Sequence, residues 1–435
     1  MELVYHDFQS GFSPMWKKLL ELFGEERGIA TRYVVVPQPT YEKGLAENFT
    51  SDTPPVVMKV RHGLFQKYDF LQELCEPLDD LPVAKDVIST YCTFNKDGKI
   101  IGLPYNSESA GIIYNRHIME LYFALPDRGN TDLHSVADIR DRPSFIAVAD
   151  DMQKHCSELD IDGVFPCAAF APNEDFQWRK FLLSPVIAHE IQEKHTHQLK
   201  DFDFSLSNSI RELCDMFFRD CAGKREDFIN TPLSDSVGAF LHGRAAMILH
   251  PQFLREVYVR QQHISEEEQA RLVPAEDLLM MPLYTNDKPE QKGLICGAAW
   301  HHVVRKNASP EEKEAGKAYV DWLINSPKAR AVFKKMEYVV PYYSFKADSA
   351  PSLPLYQQLF EQLRAETPKA VSLAHLYLPD LRGSSNINDF QFAFGRELLD
   401  YATGCIDWET VIAHFCEGWK TTFANEAETL KTLFK

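Results

Sequence analysis

The hydrophobic pattern of the first sixty residues predicts alternating strands and helices. Short apolar runs at Leu3–His6, Ala30–Val36 and Pro55–Val60 indicate buried strands. Between these runs, apolar side chains recur at helical spacing after Ser13 and again across Tyr41–Phe49. Strands that alternate with helices predict a parallel sheet, and such sheets bind ligands beyond the carboxyl ends of their strands.

The segment from Gly102 to Arg116 places a polar patch inside a strand pattern. Lys99–Leu103 and Ile112–Tyr114 have the composition of strands, and every residue of Tyr105–Ser109 between them can form hydrogen bonds. Two strands joined by a polar patch without a turn indicate a chain that crosses from one domain to another.

The remainder of the chain is mostly helical by pattern. Ser309-Pro310-Glu311-Glu312 is a capping box with proline at the first helical position, and helical spacing extends over the last hundred residues. Three apolar runs interrupt the helices as predicted strands: Ala245–Leu249, Leu278–Leu283 and Leu294–Val304.

Length and charge narrow the classes of partner. The chain has 435 residues, a length that favours two domains. It carries 46 basic and 63 acidic side chains, for a net charge of -17. Nucleic acids and anionic membranes bind dense basic surfaces, so this charge argues against both partners.

The N-terminus and the cysteines bear on the compartment and leave it open. The strand Leu3–His6 follows Met1 without the basic and apolar regions of a secretory signal, so either a signal was removed or the protein stays inside the cell. The nine scattered cysteines do not resemble a disulfide framework, and free thiols suit a reducing compartment.

Sequence motifs for chemistry are missing. The chain contains no P-loop, no dinucleotide-binding glycine motif, no H-E-x-x-H and no G-x-S-x-G. The histidine pairs His195-Thr196-His197 and His301-His302 stand in polar stretches, and we interpret both as surface features rather than metal ligands. We therefore expect no enzyme activity, no cofactor and no metal site.

Four blocks of sequence follow one another in a characteristic order: Gly98–Tyr105 leading to Ile113–Arg116, Ala239–Met247, Met281–Leu283 with Gly297–Val304, and Tyr338–Pro341. In these blocks the chain resembles the extracellular solute-binding proteins of carbohydrate ABC transporters, the group typified by maltodextrin-binding protein. The sequence departs from the family at Pro55, at Ala298 and Ala299, and at His250–Phe253, where the family favours an acidic residue, two glycines and Asn-Gly-Pro-Trp.

The resemblance implies a periplasmic-binding-protein-like type II fold, with two α/β lobes joined by hinge crossovers and a ligand cleft between them. We expect lobe 1 at residues 1–106 and 271–336, and a helix-rich lobe 2 at 107–270 and 337–435. The implied function is a monomeric receptor, in the periplasm or lipid-anchored at the cell surface, that captures a sugar by hinge closure for an ABC transporter permease. The alternative is an intracellular effector module of a regulator with the same fold.

A sugar site needs planar hydrogen-bonding groups beside flat aromatic walls. For the aromatic candidates the alternative is packing in the core, and for the crossover candidates Asn106 and Glu108 it is holding the hinge. For Asp175 the alternative is a solvated side chain, and for Arg61 it is a salt bridge on the rim. Topology and resemblance together place ten candidates at the cleft: Trp300, Phe253, Asn106, Glu108, Asp175, Trp178, Arg61, Phe8, Gln9 and Lys59.

Overall fold

The structure is a computed structural model, and it describes residues 1–7, 13–36, 47, 49, 54–61, 65, 69–88, 91–183, 185–186, 190, 204–205, 207–285, 287, 294–298, 300–364 and 387–423. Most of the predicted helix Tyr41–Phe49, the pair His195 and His197, and the candidates Phe8 and Gln9 lie outside these residues.

Ten strands are present among the described residues: β1 Glu2–Asp7, β2 Ala30–Val35, β3 Val57–Arg61, β4 Thr93–Phe94, β5 Ile100–Pro104, β6 Glu108–Asn115, β7 Met247–Pro251, β8 Leu278–Met281, β9 Ile295–Gly297 and β10 Trp300–Val304. The helices are α1 Ser13–Arg27, α2 Asp69–Leu74, α3 Arg116–Ala124, α4 Arg142–Lys154, α5 Ser207–Arg219, α6 Leu233–Leu241, α7 Leu254–Gln261, α8 Glu266–Gln269, α9 Pro310–Asn325, α10 Pro327–Lys335, α11 Pro354–Gln362, α12 Ile387–Ala402 and α13 Trp408–Phe423. A π-helical turn spans Gln177–Leu182, and short 3₁₀ turns complete the description: Pro82–Lys85, Val136–Asp138, Arg225–Asn230, Ala275–Asp277 and Ala347–Ser349.

The chain divides into two compact units. Unit 1 comprises Met1–Glu108 and Cys296–Arg364, and unit 2 comprises Ser109–Ile295 and Ala365–Lys435. The first passage from unit 1 to unit 2, at Glu108, lies within the crossover segment that the polar patch predicts.

Two stretches lie in different units from the predicted lobes, and the hydrogen bonds explain both differences. Residues 271–295 lie in unit 2 because β8 pairs with β6, with Met281 opposite Ile112. Residues 337–364 lie in unit 1, where the Ser107 amide donates to the Val339 carbonyl and the Tyr342 hydroxyl to the Pro104 carbonyl. Helical pattern alone did not show these tertiary pairings.

The sheet of unit 1 has the strand order β2-β1-β3-β10-β5-β4. β1 runs parallel to β2 and β3, whereas β10 runs antiparallel to β3 and β5, so the sheet is mixed rather than purely parallel. The prediction that Ala30–Val36 is a buried strand is wrong in its burial. β2 is the outermost strand on one side of this sheet, and its side chains are exposed or half-buried.

Helices α1 and α9 cover one face of the unit 1 sheet with aromatic side chains. Trp16, Leu19 and Phe23 of α1 are buried at helical spacing, and the Phe23 ring meets the Tyr319 ring of α9 edge-on at 5.2 Å. The capping box at the start of α9 is confirmed, because the Glu312 amide donates to Ser309 Oγ and the Ser309 amide donates to Glu312 Oε2.

The sheet of unit 2 has the strand order β7-β6-β8, with β9 beside β6. Both β7 and β8 run antiparallel to β6. Helices α4, α5, α12 and α13 supply much of the core around this sheet, where the Phe165 and Phe217 rings pack edge-on at 4.7 Å. Among the helices of the described residues, none has the length and apolar character required to cross a membrane.

Candidate ligand-binding edges of the two sheets

Four strands of unit 1 bring polar and aromatic side chains to one edge of the sheet. β1, β3 and β5 share one direction, so their carboxyl ends lie together, and the antiparallel β10 begins at the same edge. Asp7 ends β1, Arg61 ends β3, Tyr105 follows β5, and Trp300 begins β10 directly opposite Arg61. This is the edge at which the sequence predicts ligand contacts.

A buried ion pair lies just inside this edge. Lys59 Nζ is 3.3 Å from Asp7 Oδ1, and both side chains are 0% exposed. The Tyr33 hydroxyl donates to the other carboxylate oxygen of Asp7 at 2.9 Å. Burial lowers the pKa of Lys59, and the Asp7 carboxylate opposes that change. The pair thus exchanges hydration for fixed partners on both charges.

Three aromatic rings surround the Lys59 ammonium. Its Nζ lies 5.6 Å from the centroid of Trp16, 5.4 Å from that of Tyr105 and 5.5 Å from that of Trp300. These distances fall in the range of cation–π attraction. Trp16 and Tyr105 are buried, whereas Trp300 is half-buried. We call Asp7, Lys59 and these three rings the Lys59 cage.

The Lys59 cage changes the interpretation of two candidates. Lys59 is predicted to contact the ligand, but its side chain has no exposed surface because the rings and Asp7 enclose it. Trp300 keeps exposed surface at the strand end, as a stacking platform requires. Arg61, opposite Trp300, is also half-buried at this edge.

The prediction that His301 and His302 lie on the surface is wrong. Both side chains are buried, because β10 lies between β3 and β5 inside the sheet. His301 Nε2 is hydrogen-bonded to the Tyr91 carbonyl at 2.6 Å, and His302 Nε2 is hydrogen-bonded to the Tyr5 hydroxyl at 2.9 Å. Burial lowers the pKa of His301 to about 4 and that of His302 well below its usual value, so both rings are neutral at pH 7.

The corresponding edge of unit 2 is held by neutral hydrogen bonds. β6 begins where β7 and β8 end, so Ser109, Gln252 and Phe253 lie close together. Gln252 Oε1 accepts from the Ser109 amide at 3.2 Å and from the Ser109 hydroxyl at 2.7 Å. Phe253 precedes helix α7 and is half-buried, so the structure places this candidate at the edge with part of its ring accessible.

Two further unit 2 candidates lie in the core. The Trp178 side chain is 4% exposed, stacks on Phe170 at 5.5 Å and donates its indole N–H to the Ala169 carbonyl at 3.1 Å. Asp175 is buried and accepts from Arg179 Nε at 3.0 Å. The Trp178 contacts are those of its core-packing alternative. The alternative for Asp175, a solvated side chain, is wrong, because this carboxylate is buried beside Arg179.

The crossover candidates divide between hinge and edge. Asn106 is buried, and its Oδ1 accepts from the Val339 amide at 2.9 Å, which ties the first crossover to the segment after α10. This contact is the hinge-holding alternative. Glu108, the first residue of β6, is half-buried, and its charge favours the ionised form of Lys59.

Sequence reasoning missed the partners that organise both edges. Asp7, Trp16 and Tyr105 of the Lys59 cage were not among the candidates, and neither were Ser109 and Gln252. The available signal was position: Asp7 directly follows the first predicted strand, Leu3–His6, and the strand Lys99–Leu103 is followed by Pro104 and Tyr105 at the crossover.

Neither metal ligands nor disulfides contribute to the described parts of the chain. Those parts contain no group of three or more His, Cys, Asp or Glu side chains placed to hold a metal ion. All nine cysteines are among the described residues, and they form no disulfide.

The sequence matches no protein-family model and no curated protein. In structure, the chain is similar to the binding protein MsmE of Bacillus subtilis in an open conformation, with a TM-score of 0.70 at 15% identity over 97% of each chain. It is also similar to the GacH receptor of Streptomyces glaucescens, solved with acarbose, with a TM-score of 0.64 at 14% identity over 98% of this chain and 99% of that one.

A third structure is RafE in complex with raffinose, with a TM-score of 0.65 at 14% identity over 97% of this chain and 99% of that one. Likeness at these identities establishes the fold. The predicted periplasmic-binding-protein-like type II fold, with two α/β lobes, is therefore confirmed.

Proposed function

We propose that this chain is a solute-binding receptor that captures a sugar or oligosaccharide and delivers it to the permease of an ABC transporter. The observation that carries the proposal is Trp300, a half-buried indole at the candidate edge of unit 1, whose ring centroid lies 5.5 Å from the buried Lys59 ammonium. A flat aromatic surface beside hydrogen-bonding side chains suits the apolar face and hydroxyls of a pyranose ring. Structural neighbours were solved with acarbose and with raffinose, which agrees with that chemistry.

In this proposal the protein binds and releases its ligand without reaction. Sugar stabilises a closed arrangement of the two units, and the permease recognises that arrangement. The passages of the chain between units, at Glu108, Ile295 and Arg364, supply the hinge. The receptor is a monomer and acts outside the cytoplasm.

Calorimetry tests the sugar-binding part of the proposal. A panel containing raffinose, acarbose, galactose and maltotriose is titrated into the wild type, Trp300→Ala and Trp408→Phe. We expect heat with at least one sugar and a 10- to 100-fold weaker affinity in Trp300→Ala, because about 1.4–2.8 kcal/mol of stacking is lost. Trp408, buried in unit 2, is the matched control and leaves affinity within about two-fold.

Other panels define how the proposal fails. Heat with spermidine or with peptides, and none with sugars, contradicts the carbohydrate assignment. Equal affinity of wild type and Trp300→Ala for a sugar removes Trp300 from the site while leaving sugar binding intact.

The cysteines favour a second candidate function, an intracellular sensor module with the same fold. None of the nine forms a disulfide, and burial raises the pKa of thiols such as Cys92 and Cys221 to about 12, so these thiols are protonated and unreactive. The gene decides between the two: codons for a helix-turn-helix before Met1 support the sensor, and a lipoprotein signal beside permease genes supports the receptor.

A further inference from the structure

We infer that Lys59 is a positioning residue: its ammonium fixes the Trp300 indole on which a sugar ring stacks, and Lys59 itself does not contact the sugar. The stacking half of this inference rests on the proposed function. The fixing of Trp300 by Lys59 stands on the geometry of unit 1 alone.

The three rings of the Lys59 cage are not equivalent. Trp16 and Tyr105 meet edge-on at 4.9 Å with an interplanar angle of 85°, and each also packs against the His302 ring. Those contacts fix both rings whatever happens at Lys59. Trp300 stands at the first position of β10 and is the cage ring with appreciable exposed surface; its buried part packs against an apolar cluster that includes Met58 and Val303, and the Lys59 ammonium lies over its ring.

The cation is itself held in place. Asp7 lies 3.3 Å from Nζ, and the Tyr33 hydroxyl holds the far oxygen of that carboxylate at 2.9 Å. Asp7 of β1 and Tyr33 of β2 therefore hold the Lys59 ammonium in place relative to the sheet. Cation–π attraction strengthens when the cation is desolvated, and Lys59 is 0% exposed. The result is a rigid charged support beneath a partly exposed indole.

The same burial separates Lys59 from a ligand contact. Because the Lys59 side chain is 0% exposed, a sugar hydroxyl could reach Nζ only by displacing the groups that enclose it. Arg61, two residues later on the same face of β3, ends the strand with exposed surface, so it is the cation that a ligand can meet. On this face of β3, Lys59 therefore supports Trp300, and Arg61, two residues later, is available to contact a ligand.

Fluorine NMR tests, without any ligand, whether Lys59 fixes the Trp300 indole. The chain has six tryptophans, so 5-fluorotryptophan labelling gives six resonances, and Trp300→Leu assigns that of Trp300 by its disappearance. The test variant is Lys59→Met with Asp7→Asn, which removes the cation without leaving a buried unpaired carboxylate. We expect the sharp Trp300 resonance to broaden or split as the indole samples several orientations.

Tryptophans of unit 2 serve as internal controls, because Trp178, Trp408 and Trp419 lie far from the Lys59 cage in sequence and belong to the other unit. Their resonances stay unchanged. A Trp300 resonance as sharp as in the wild type overturns the inference. Should the double variant fail to fold, Lys59→Arg takes its place: it displaces the charge within the cage, and an unmoved Trp300 resonance contradicts the inference equally.

A raffinose titration tests the consequence for binding. The double variant is expected to weaken raffinose affinity about five-fold, because part of the cation–π attraction that orders Trp300 for stacking is lost. In a Trp300→Leu background the same double change is expected to alter affinity less than two-fold, since its route of action is gone. A five-fold loss in both backgrounds means that Lys59 acts independently of Trp300 and overturns the positioning role.

The NMR experiment and the raffinose titration can fail independently of each other. If no sugar of the panel, raffinose included, binds the wild type, the proposed function fails and the stacking half of the inference fails with it. The NMR result then still decides whether Lys59 fixes Trp300.

Discussion

The two candidate ligand-binding edges use different chemistry to hold the same kind of strand end. In unit 1, a buried ion pair between Lys59 and Asp7 lies under three aromatic rings. In unit 2, Gln252 joins β7 to the start of β6 through neutral hydrogen bonds to Ser109. Buried charges are stable only as a complete set, whereas a neutral hydrogen bond contributes modestly and is lost modestly. The two edges should therefore respond to damage on different scales.

The largest expected effect is on unit 1. Lys59→Met leaves the Asp7 carboxylate buried at 0% exposure without its cation, and such a change costs about 3–5 kcal/mol of unfolding free energy. Adding Asp7→Asn removes the stranded charge and should restore most of the loss. Urea titrations read by pulsed hydrogen exchange, with peptides sorted by unit, measure both.

A loss below about 1 kcal/mol in Lys59→Met would show that Asp7 is not stranded. Failure of Asp7→Asn to restore stability would show that the lysine side chain acts by packing rather than by charge. Either result would remove the contrast with unit 2.

Acid should also affect unit 1 more than unit 2. Burial lowers the pKa of His6, His301 and His250 to about 4, and it lowers that of His302 well below its usual value. Because these folded-state pKa values lie below the unfolded value near 6.5, their stability contribution is complete above pH 6.5 and is lost as the pH falls toward 4. At pH 5.5 each of the three histidines with a pKa of about 4 costs about 1.4 kcal/mol. Three of the four belong to unit 1.

Two carboxyl groups of unit 2 add to this difference. Burial raises the pKa of Asp220 and of Glu397, both in unit 2, so protonation in acid favours the folded form there. Urea titrations at pH 7.5 and 5.5, each followed by a labelling pulse at one fixed pH, compare the units directly. Equal losses in both units would mean that the buried histidines of unit 1 are not neutral.

The order of elements in the fold was predictable from the sequence. Periodicity located α1 and the capping box of Ser309, and the run of strands and helices from β1 to β3 predicted that Asp7 and Lys59–Arg61 end at one edge. The resemblance supplied the two-lobed type II fold. Periodicity depends on residues close together in sequence, and the resemblance depends on the order of blocks along the chain. Neither signal depends on which residues meet in the folded protein.

The partners of each candidate were not predictable in the same way. Asp7 and Lys59 are 52 positions apart, and alternation assigns a strand residue to a face without naming its neighbour. The composition of Ala30–Val35 suits a central strand, yet topology puts β2 at an edge. His301 and His302 look polar in sequence, but their strand lies inside the sheet. In all three cases the outcome depends on neighbours that each residue acquires only in the folded protein.

The smallest expected effect is on the neutral edge of unit 2. Gln252→Leu leaves the Ser109 amide and hydroxyl without the side-chain oxygen that accepts from both, which costs about 1–3 kcal/mol. Ser109→Ala is the matched control. It removes the hydroxyl but keeps the hydrogen bond from the Ser109 amide, so it should lower the free energy of unfolding less than Gln252→Leu does. Unit 2 peptides in urea titrations report both changes, and unit 1 peptides should not respond.

Raffinose affinity sharpens the contrast. If neutral hydrogen bonds merely hold the unit 2 edge, Ser109→Ala should leave affinity within about two-fold, whereas loss of the Lys59 cation weakens it about five-fold through Trp300. An equal loss in both variants would mean that Ser109 meets the sugar directly.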